Sequence, residues 1–526
     1  MPAAPAARRL GRGLRGALAG ALPARPRLPQ GRWAAAAEGR AAPFSTLTLQ
    51  DLPTAVLDCE YAVRGAVSRR AEELGAELGK LAAGERGPDE EGLLFDQIVP
   101  CNIGNPQAVG QQPLEFHRQV LACLTDPTLA DREDLYPADV RERARRYLNG
   151  ITGGAVGAYS HSQGHAVFRR DVAAFLAQRD GVDTSFEDVF LTDGASAAVK
   201  MVLSLLIRGG EDGVLLPIPQ YPLYSASLSL LGGQSVGYFL DEDAGWGVSV
   251  PELERAVSEF RAEGGVPRAI VLINPGNPTG QVLSREVLEQ VLAFAEREKL
   301  VVIADEVYQD NIHAEDKEFI SCRKVAHDIG CTVEVFSLHS ASKGLTGECG
   351  LRSGMVHCEN VSRDVMDQLY KLASVNLCSN VLGQALMASV VTPPPPGGPS
   401  RERFEKEKSE TREALKRKAK MVTDRLNAME GITCQAIEGA MYAFPKVVIK
   451  GYVMKKAISF ATPADQIYCV EMLERTGVIT VPGSGFGQRP GYFHFRMTIL
   501  PDEATLEKVL DAIERFHGEH PGGWFK

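Results

Sequence analysis

The run Ser340-Ala341-Ser342-Lys343-Gly344-Leu345-Thr346-Gly347-Glu348-Cys349-Gly350-Leu351-Arg352 sets one amine among hydroxyls and glycines, with a guanidinium nine residues on. A lysine amine condenses with an aldehyde to form a Schiff base, and hydroxyls with an arginine hold a phosphate. Together they are the equipment for pyridoxal phosphate chemistry, in which a bound ring acts as electron sink and the protein tunes it. The apolar residues 333–338 predict a strand leading into this run.

Other segments carry residues of matching type. Ala304-Asp305-Glu306-Val307-Tyr308 ends an apolar stretch; Asp305 is suited to face a ring nitrogen and Tyr308 a ring hydroxyl, or Asp305 simply caps a helix. Thr192-Asp193-Gly194-Ala195-Ser196 opens an apolar helix, whose free N–H groups and dipole make a phosphate seat unless Asp193 or Ser196 is only a cap. In Asn274-Pro275-Gly276-Asn277-Pro278-Thr279-Gly280, alternating Pro and Gly fix the backbone so that Asn277 points one way. Pro217-Ile218-Pro219-Gln220-Tyr221-Pro222 offers Tyr221 as a plate against a flat ring. Arg496 lies on an alternating stretch, where its planar fork suits a carboxylate, although a strand arginine is commonly a surface charge. Two signals are set aside. Gly483-Ser484-Gly485-Phe486-Gly487 precedes a strand-like run rather than a helix, so the dinucleotide fingerprint fails, and His161 with His165 lack the acid of a zinc helix.

Strands and helices in alternation must position these groups. Continuous apolar segments predict seven strands, at 188–192, 213–217, 235–240, 268–274, 300–305, 333–338 and 354–357, with helices between, such as 284–298. Strands apolar throughout imply an α/β fold with a mostly parallel sheet covered on both faces. Each motif then lies just past a strand end, where such sheets bind ligands. Helix is also predicted at 71–83, followed by an acidic loop at 84–92. Pro393 to Pro396 with Gly397 and Gly398 break the chain before a long charged helix at about 401–429 and a smaller α+β domain. The division expected is a leader at 1–43, an N-terminal arm and part of the small domain at 44–144, a large cofactor-binding domain at 145–392, and the C-terminal small domain at 393–526.

The formal charge of -10 argues against nucleic acid as the main partner. No apolar run reaches the roughly 20 residues of a membrane span. Ten scattered cysteines with no C-x-x-C pair indicate free thiols rather than a disulfide framework. Before Glu38, the first acid, stand seven arginines and no lysine. An Arg-rich, acid-poor start of this kind reads as an organelle transit peptide. Its few Ser and Thr favour the mitochondrion (matrix), with the plastid as alternative.

Gly-Ala-Tyr-Ser…Ser-Gln-Gly (157–164), Pro-Ile-Pro-Gln-Tyr-Pro-Leu-Tyr-Ser-Ala (217–226), Asn-Pro-Gly-Asn-Pro-Thr-Gly-Gln (274–281), Ala-Asp-Glu-Val-Tyr-Gln-Asp-Asn (304–311), Gly-Ala-Met-Tyr-Ala-Phe-Pro (439–445), Val-Pro-Gly-Ser-Gly-Phe-Gly-Gln (481–488) and Phe-Arg-Met-Thr-Ile-Leu-Pro (495–501) join the lysine run in a resemblance. Over about residues 50 to 516 the chain resembles the alanine aminotransferases of the fold-type I pyridoxal phosphate (PLP) transferases. That resemblance implies transamination of L-alanine and 2-oxoglutarate to pyruvate and L-glutamate, with glutamate–glyoxylate transamination as the alternative. It implies Lys343 as the catalytic Schiff-base lysine, and Ala195, Ser196, Ser340 and Arg352 at the phosphate. It further implies Tyr221 on the ring, Asn277 and Tyr308 at its hydroxyl, Asp305 at its nitrogen, and Arg496 with the Gly104 backbone at the substrate carboxylate. Tyr159 would reach the cofactor of a second subunit, which implies a homodimer with interface active sites. Leu338, Ala341 and Ser353 stand where family members usually have Phe, Thr and Gly, and the run after Tyr159 is altered at His161 and His165; none removes a chemical group from this set.

Overall fold

The structure, a computed structural model, describes residues 47–61, 65–83 and 93–518. The leader expected at 1–43 and the acidic loop at 84–92 lie outside the described residues. A seven-stranded sheet is built from β1 (Val189–Thr192), β2 (Asp212–Ile218), β3 (Gln234–Phe239), β4 (Val266–Ile273), β5 (Val301–Asp305), β6 (Val335–Ser340) and β7 (Gly354–Glu359). Their order is β1-β7-β6-β5-β4-β2-β3. All neighbours pair parallel except β7, which runs against both β1 and β6.

Every predicted strand is present, and the largest shift is in β6. Its ladder with β7 runs from Val335↔Glu359 to Ser340↔Gly354, so Ser340 ends the strand rather than following it. Partners on the antiparallel neighbour, invisible in the local sequence, moved both ends two residues along.

Successive strand residues point to opposite faces. Leu215, Ile270, Leu272, Val302 and Ala304 meet the helices Val250–Ala262 and Arg285–Glu298 on one side. Val214, Leu216, Val271, Ile303, Phe336 and Leu338 meet the helices Ala195–Leu206 and Leu223–Leu231 on the other. Burying each such side chain contributes about 1.5–3 kcal/mol, so both covers are firmly held. Ser284 caps the helix Arg285–Glu298 by accepting from the Val287 N–H at 3.4 Å. Helices Glu115–Thr125, Ala138–Gly150, Ala166–Asp180 and Val381–Val391 share a further core against the β1 edge.

A second sheet, β8 (Tyr442–Ala443), β9 (Val481–Pro482) and β10 (Phe495–Thr498), is antiparallel with β10 in the middle. Val99–Pro100 pairs parallel with Val478–Ile479, and Val67, Leu74 and Cys101 join the core of residues 415–516. The long helix, Arg401–Asn427, is not wholly solvated: Phe404, Leu415, Lys418, Ala419, Val422 and Leu426 are buried along it. Lys418 donates to the Leu500 and Pro501 carbonyls at 2.8 and 3.2 Å, which is how a charge on that face is tolerated.

Candidate active site

The carboxyl ends of β5 and β6 and the loops after β1, β2 and β4 converge on a cavity of about 420 Å³ between the two sheets. Lys343, Asp305, Tyr308, Ser340, Arg352, Ala195, Ser196, Tyr221, Asn277, Arg496 and Gly104 all line it. Of the expected site residues only Tyr159 does not; it stands 74% exposed outside the lining.

Asp305 is the last residue of β5 and is buried. Neither it nor Asp193 is a helix cap. Asp305 Oδ2 accepts from the Tyr224 hydroxyl at 2.8 Å, and Asp193 Oδ1 accepts from the Asn380 N–H at 2.8 Å. Asp305 Oδ1 has no partner. Burial raises this carboxyl above the usual carboxylate range, against the Tyr224 hydroxyl, the Val307 N–H and the Lys343 charge, which lower it. A protonated ring nitrogen would supply the missing partner and restore the charged form. Lys343 Nζ lies 5.8 Å from the centre of the Tyr308 ring, over its face.

One end of the cavity is a cradle of backbone and side chain. Gly194, at φ 78°, turns β1 into the helix Ala195–Leu206, whose first N–H groups have no partner within the helix. A side chain at Gly194 would run into the Arg352 guanidinium, so glycine is required twice over, by backbone and by space. Arg352 donates to the Cys349 and Asp193 carbonyls at 2.9 and 3.2 Å, which fixes its fork toward that helix end. The Ser340 hydroxyl is engaged, donating to the Ser353 carbonyl at 3.1 Å and accepting from the Ser342 N–H at 3.0 Å. Ser342 Oγ is buried and unpartnered, so it adds a free hydroxyl that the sequence reading had not assigned. Glu348 ties the loop down through paired bonds from Arg118 at 2.6 and 2.8 Å.

The opposite end is organised around Arg496 on β10. It is 2% exposed, which settles its orientation: it is not a surface charge. Nη1 donates to Asn277 Oδ1 at 3.0 Å and Nη2 to the Asn102 carbonyl at 2.5 Å, while Nε is unpartnered. Its guanidinium carbon lies 4.1 Å from the Tyr442 ring centre and 4.7 Å from that of Phe486. Two aromatic faces and two hydrogen bonds fix the plane of the fork and leave one edge for a planar anion. Gly104 faces the Tyr442 hydroxyl so closely that a Cβ there would overlap it. Tyr442 and Tyr308 meet edge to face, ring centres 6.2 Å apart. Burial would raise the Tyr442 phenol, but the Lys343 and Arg496 charges and the Tyr308 hydroxyl bring it below the ordinary tyrosine value.

Tyr224, Asn102, Tyr442, Phe486 and Ser342 are what the sequence reading left without a role. Tyr224 and Tyr442 sit inside motifs already singled out, three residues beyond Tyr221 and at the centre of 439–445. Asn102 acts through its carbonyl, which no residue type signals. Gly483–Phe486 is a 3₁₀ turn between β9 and β10, and His161 and His165 precede the helix Ala166–Asp180 rather than lying on it. No helix among them is long and apolar enough to cross a membrane.

The sequence matches the family model described as aminotransferase class I and II over residues 126–513. It is 44% identical over 477 residues to alanine aminotransferase 2, mitochondrial, of Arabidopsis thaliana, covering 90% of this chain and 87% of that protein. It is also 44% identical over 471 residues to glutamate–glyoxylate aminotransferase 1 of the same plant, covering 88% and 94%. Among solved structures, an alanine aminotransferase from Pyrococcus furiosus shares the fold, with a TM-score of 0.69 over 89% of this chain and 100% of that one at 24% identity. The fold, the convergent cavity and these matches agree: the chain belongs to the class I and II aminotransferases, in their alanine aminotransferase group.

Proposed function

We propose that this cavity binds pyridoxal 5'-phosphate on Lys343 and transfers the amino group of L-alanine to 2-oxoglutarate, giving pyruvate and L-glutamate. The observation that carries the reading is that Lys343, Asp305 and Arg496 line one cavity, and that Asp305 and Arg496 are buried there, each with one polar atom unpartnered. Burying such atoms without a partner costs roughly 1–3 kcal/mol each, more when charged, so the site is built for a ligand that completes them. The residues fit the cofactor: an orphaned carboxylate oxygen for a ring nitrogen, a helix end with Ser342 and Arg352 for a phosphate, an amine for an aldehyde.

When bound, the cofactor supplies an aldehyde that takes up an amino group and a cationic ring that accepts electrons from the substrate carbon. Asp305 holds the proton on the ring nitrogen. Arg352, Ser340, Ser342 and the N–H groups of Ala195 and Ser196 hold the phosphate. Tyr221 lies against the ring, and Asn277 and Tyr308 bond its hydroxyl. Arg496, with the Gly104 backbone beside it, holds the substrate α-carboxylate and so sets which bond at the α-carbon faces the ring. Lys343 would be the base that takes the proton from the substrate α-carbon and hands it back, worth about 10²–10⁴-fold in rate for a well-placed base. The cavity walls hold bulk water away from the reacting carbon until the product is released.

The reading extends to a homodimer in which Tyr159, exposed here, reaches the partner's phosphate end, and to a mitochondrial (matrix) location, supported by the mitochondrial relative and the Arg-rich start. It also keeps the division into an arm through 144, a large domain at 145–392 and a small one at 393–526. The shared core of Val67, Leu74 and Cys101 with the small domain supports the arm's place, while the helices at 115–150 lie against the large sheet. A half-reaction screen of the purified holoenzyme tests the function. Alanine should bleach the lysine-bound cofactor's visible absorbance and yield stoichiometric pyruvate. Glycine from glyoxylate without pyruvate from alanine would move the assignment to glutamate–glyoxylate transamination.

A further inference from the structure

His494 lies outside the cavity, two residues before Arg496 on the run into β10, and is buried. Its ring is stacked on Phe444, centres 4.7 Å apart and planes 2° from parallel, with Trp246 edge-on at 5.7 Å. Both ring nitrogens meet acceptors. Nδ1 stands 3.0 Å from Gln488 Oε1, and turning that amide round would set its oxygen against Asp465 Oδ2, which accepts from Gln488 Nε2 at 3.2 Å. Nε2 stands 3.4 Å from Oε2 of Glu242, in the loop after β3. A neutral imidazole has one N–H and one lone pair, so it cannot serve two acceptors; the ring with both protons can. Lys446 reaches the same Glu242 oxygen at 3.3 Å. Burial raises the Glu242 carboxyl, but the His494 and Lys446 contacts outweigh it and hold the group below the usual carboxylate range, so the shared proton belongs to the ring. Asp241, Asp243, Arg489 and Tyr492 line a small cavity beside the ring, and the Cys434 thiol is near enough to feel the Glu242 charge.

This pair joins the two sheets: Glu242 follows a strand of the larger one, and His494 leads into the strand that carries Arg496. The stack continues inward. Phe444 meets Phe486 edge to face at 5.8 Å, and the Phe486 ring centre lies 4.7 Å from the Arg496 guanidinium. The Phe486 carbonyl also accepts from the Gln220 N–H at 2.8 Å, next to Tyr221. We propose that His494, with a proton on each ring nitrogen, is a positioning residue whose ion pair with Glu242 fixes the Phe444–Phe486 stack and with it the plane of the Arg496 fork. Losing the Nε2 proton leaves a lone pair facing a carboxylate, so an attraction becomes a repulsion in a buried place, where it is felt most. The fork then loosens, and substrates are held less well as pH rises. Alanine and glutamate are affected alike, since each presents an α-carboxylate.

This inference rests on the transamination proposed above, and half-reactions of the holoenzyme keep the two apart. KM and kcat for alanine and for glutamate are measured across the pH range in which the lysine-bound absorbance persists, for the unaltered protein, Glu242→Gln and His494→Phe. In the unaltered protein KM should rise about ten-fold toward high pH, the worth of one hydrogen bond, with kcat moving less than about two-fold alongside it. Glu242→Gln offers an amide N–H to the neutral ring, so the rise should vanish. His494→Phe keeps the stack and loses both bonds, so its KM should stand about ten-fold high at every pH. A KM that is flat in the unaltered protein, or climbs as steeply in Glu242→Gln, overturns the clasp. So does an equal fall of kcat and kcat/KM in both variants, the mark of general loosening rather than of a moved fork. Absence of an alanine half-reaction in the unaltered protein would sink the alanine reading instead, while the glutamate half-reaction still reads the clasp.

Discussion

The two ends of the cavity are built in different ways. The proposed cofactor end takes Ala195, Ser196, Asp305, Ser340, Lys343 and Arg352 from strand tips and the segments directly after them, all within the sheet-forming part of the chain. The proposed carboxylate end takes Asn102, Asn277, Tyr442, Phe486 and Arg496 from five separate segments, clasped by hydrogen bonds and ring faces. Strand tips of one sheet hold charges whose spacing the ladder sets, which suits a permanent cofactor. A clasp between separate units holds its fork only while both sides are in place, which suits a substrate that enters and leaves.

Substitutions can break or sharpen that contrast. Lys343→Ala removes both the amine that holds the cofactor and the base, so turnover with every amino donor should fall by at least about 10³-fold, with loss of the lysine-bound absorbance. Activity near that of the unaltered protein would remove the cofactor end from the mechanism. Asp305→Asn keeps the shape and the Tyr224 contact but not the charge; a fall of about 10²–10³-fold in kcat is expected, equal for alanine and glutamate, measured in each half-reaction. Arg496→Lys keeps the charge but loses the fork, and should cost about 10²-fold in kcat/KM, mainly through KM, while cofactor absorbance stays intact. Loss of cofactor in that variant would show that the two ends are not independent. Ser342→Ala should weaken cofactor retention about ten-fold, read by dialysis and reconstitution, with substrate KM unmoved.

The smallest effect is expected far from both ends. His117 is buried against the Ser389 hydroxyl at 2.8 Å, and burial, with the Lys408 and Arg143 charges, holds its ring down to about 3 from 6.5. Its folded value is depressed, so the stability from the neutral ring is complete above 6.5 and drains as pH falls toward 3. His117→Asn should flatten the fall of Tm with acid over that window without changing either half-reaction at neutral pH.

Much of the cofactor end was readable beforehand because strand, tip and loop are consecutive in sequence. The run ending at Asp305 shows its strand by apolar character and its site residue by the break in it, and all seven strands were found this way. The strand into Ser340 was misplaced by two residues because its ladder partner, β7, comes later and runs the other way. Arg496 showed its chemistry but not its burial: Phe495 and Met497 flank it and are themselves buried, so alternation pointed nowhere. Tyr442 and Phe486 carry no assignment from the sequence; what marks them is that both rings face the same guanidinium.

The order of residues alone determined which groups are available: an amine beside hydroxyls and an arginine, an acid closing an apolar strand, and a second arginine far down the chain. It did so because those groups sit beside the elements that present them. Only the tertiary structure decided which atoms go unpartnered, Asp305 Oδ1, Ser342 Oγ and Arg496 Nε, since being without a partner depends on everything that packs around an atom, and that is set by contacts hundreds of residues apart.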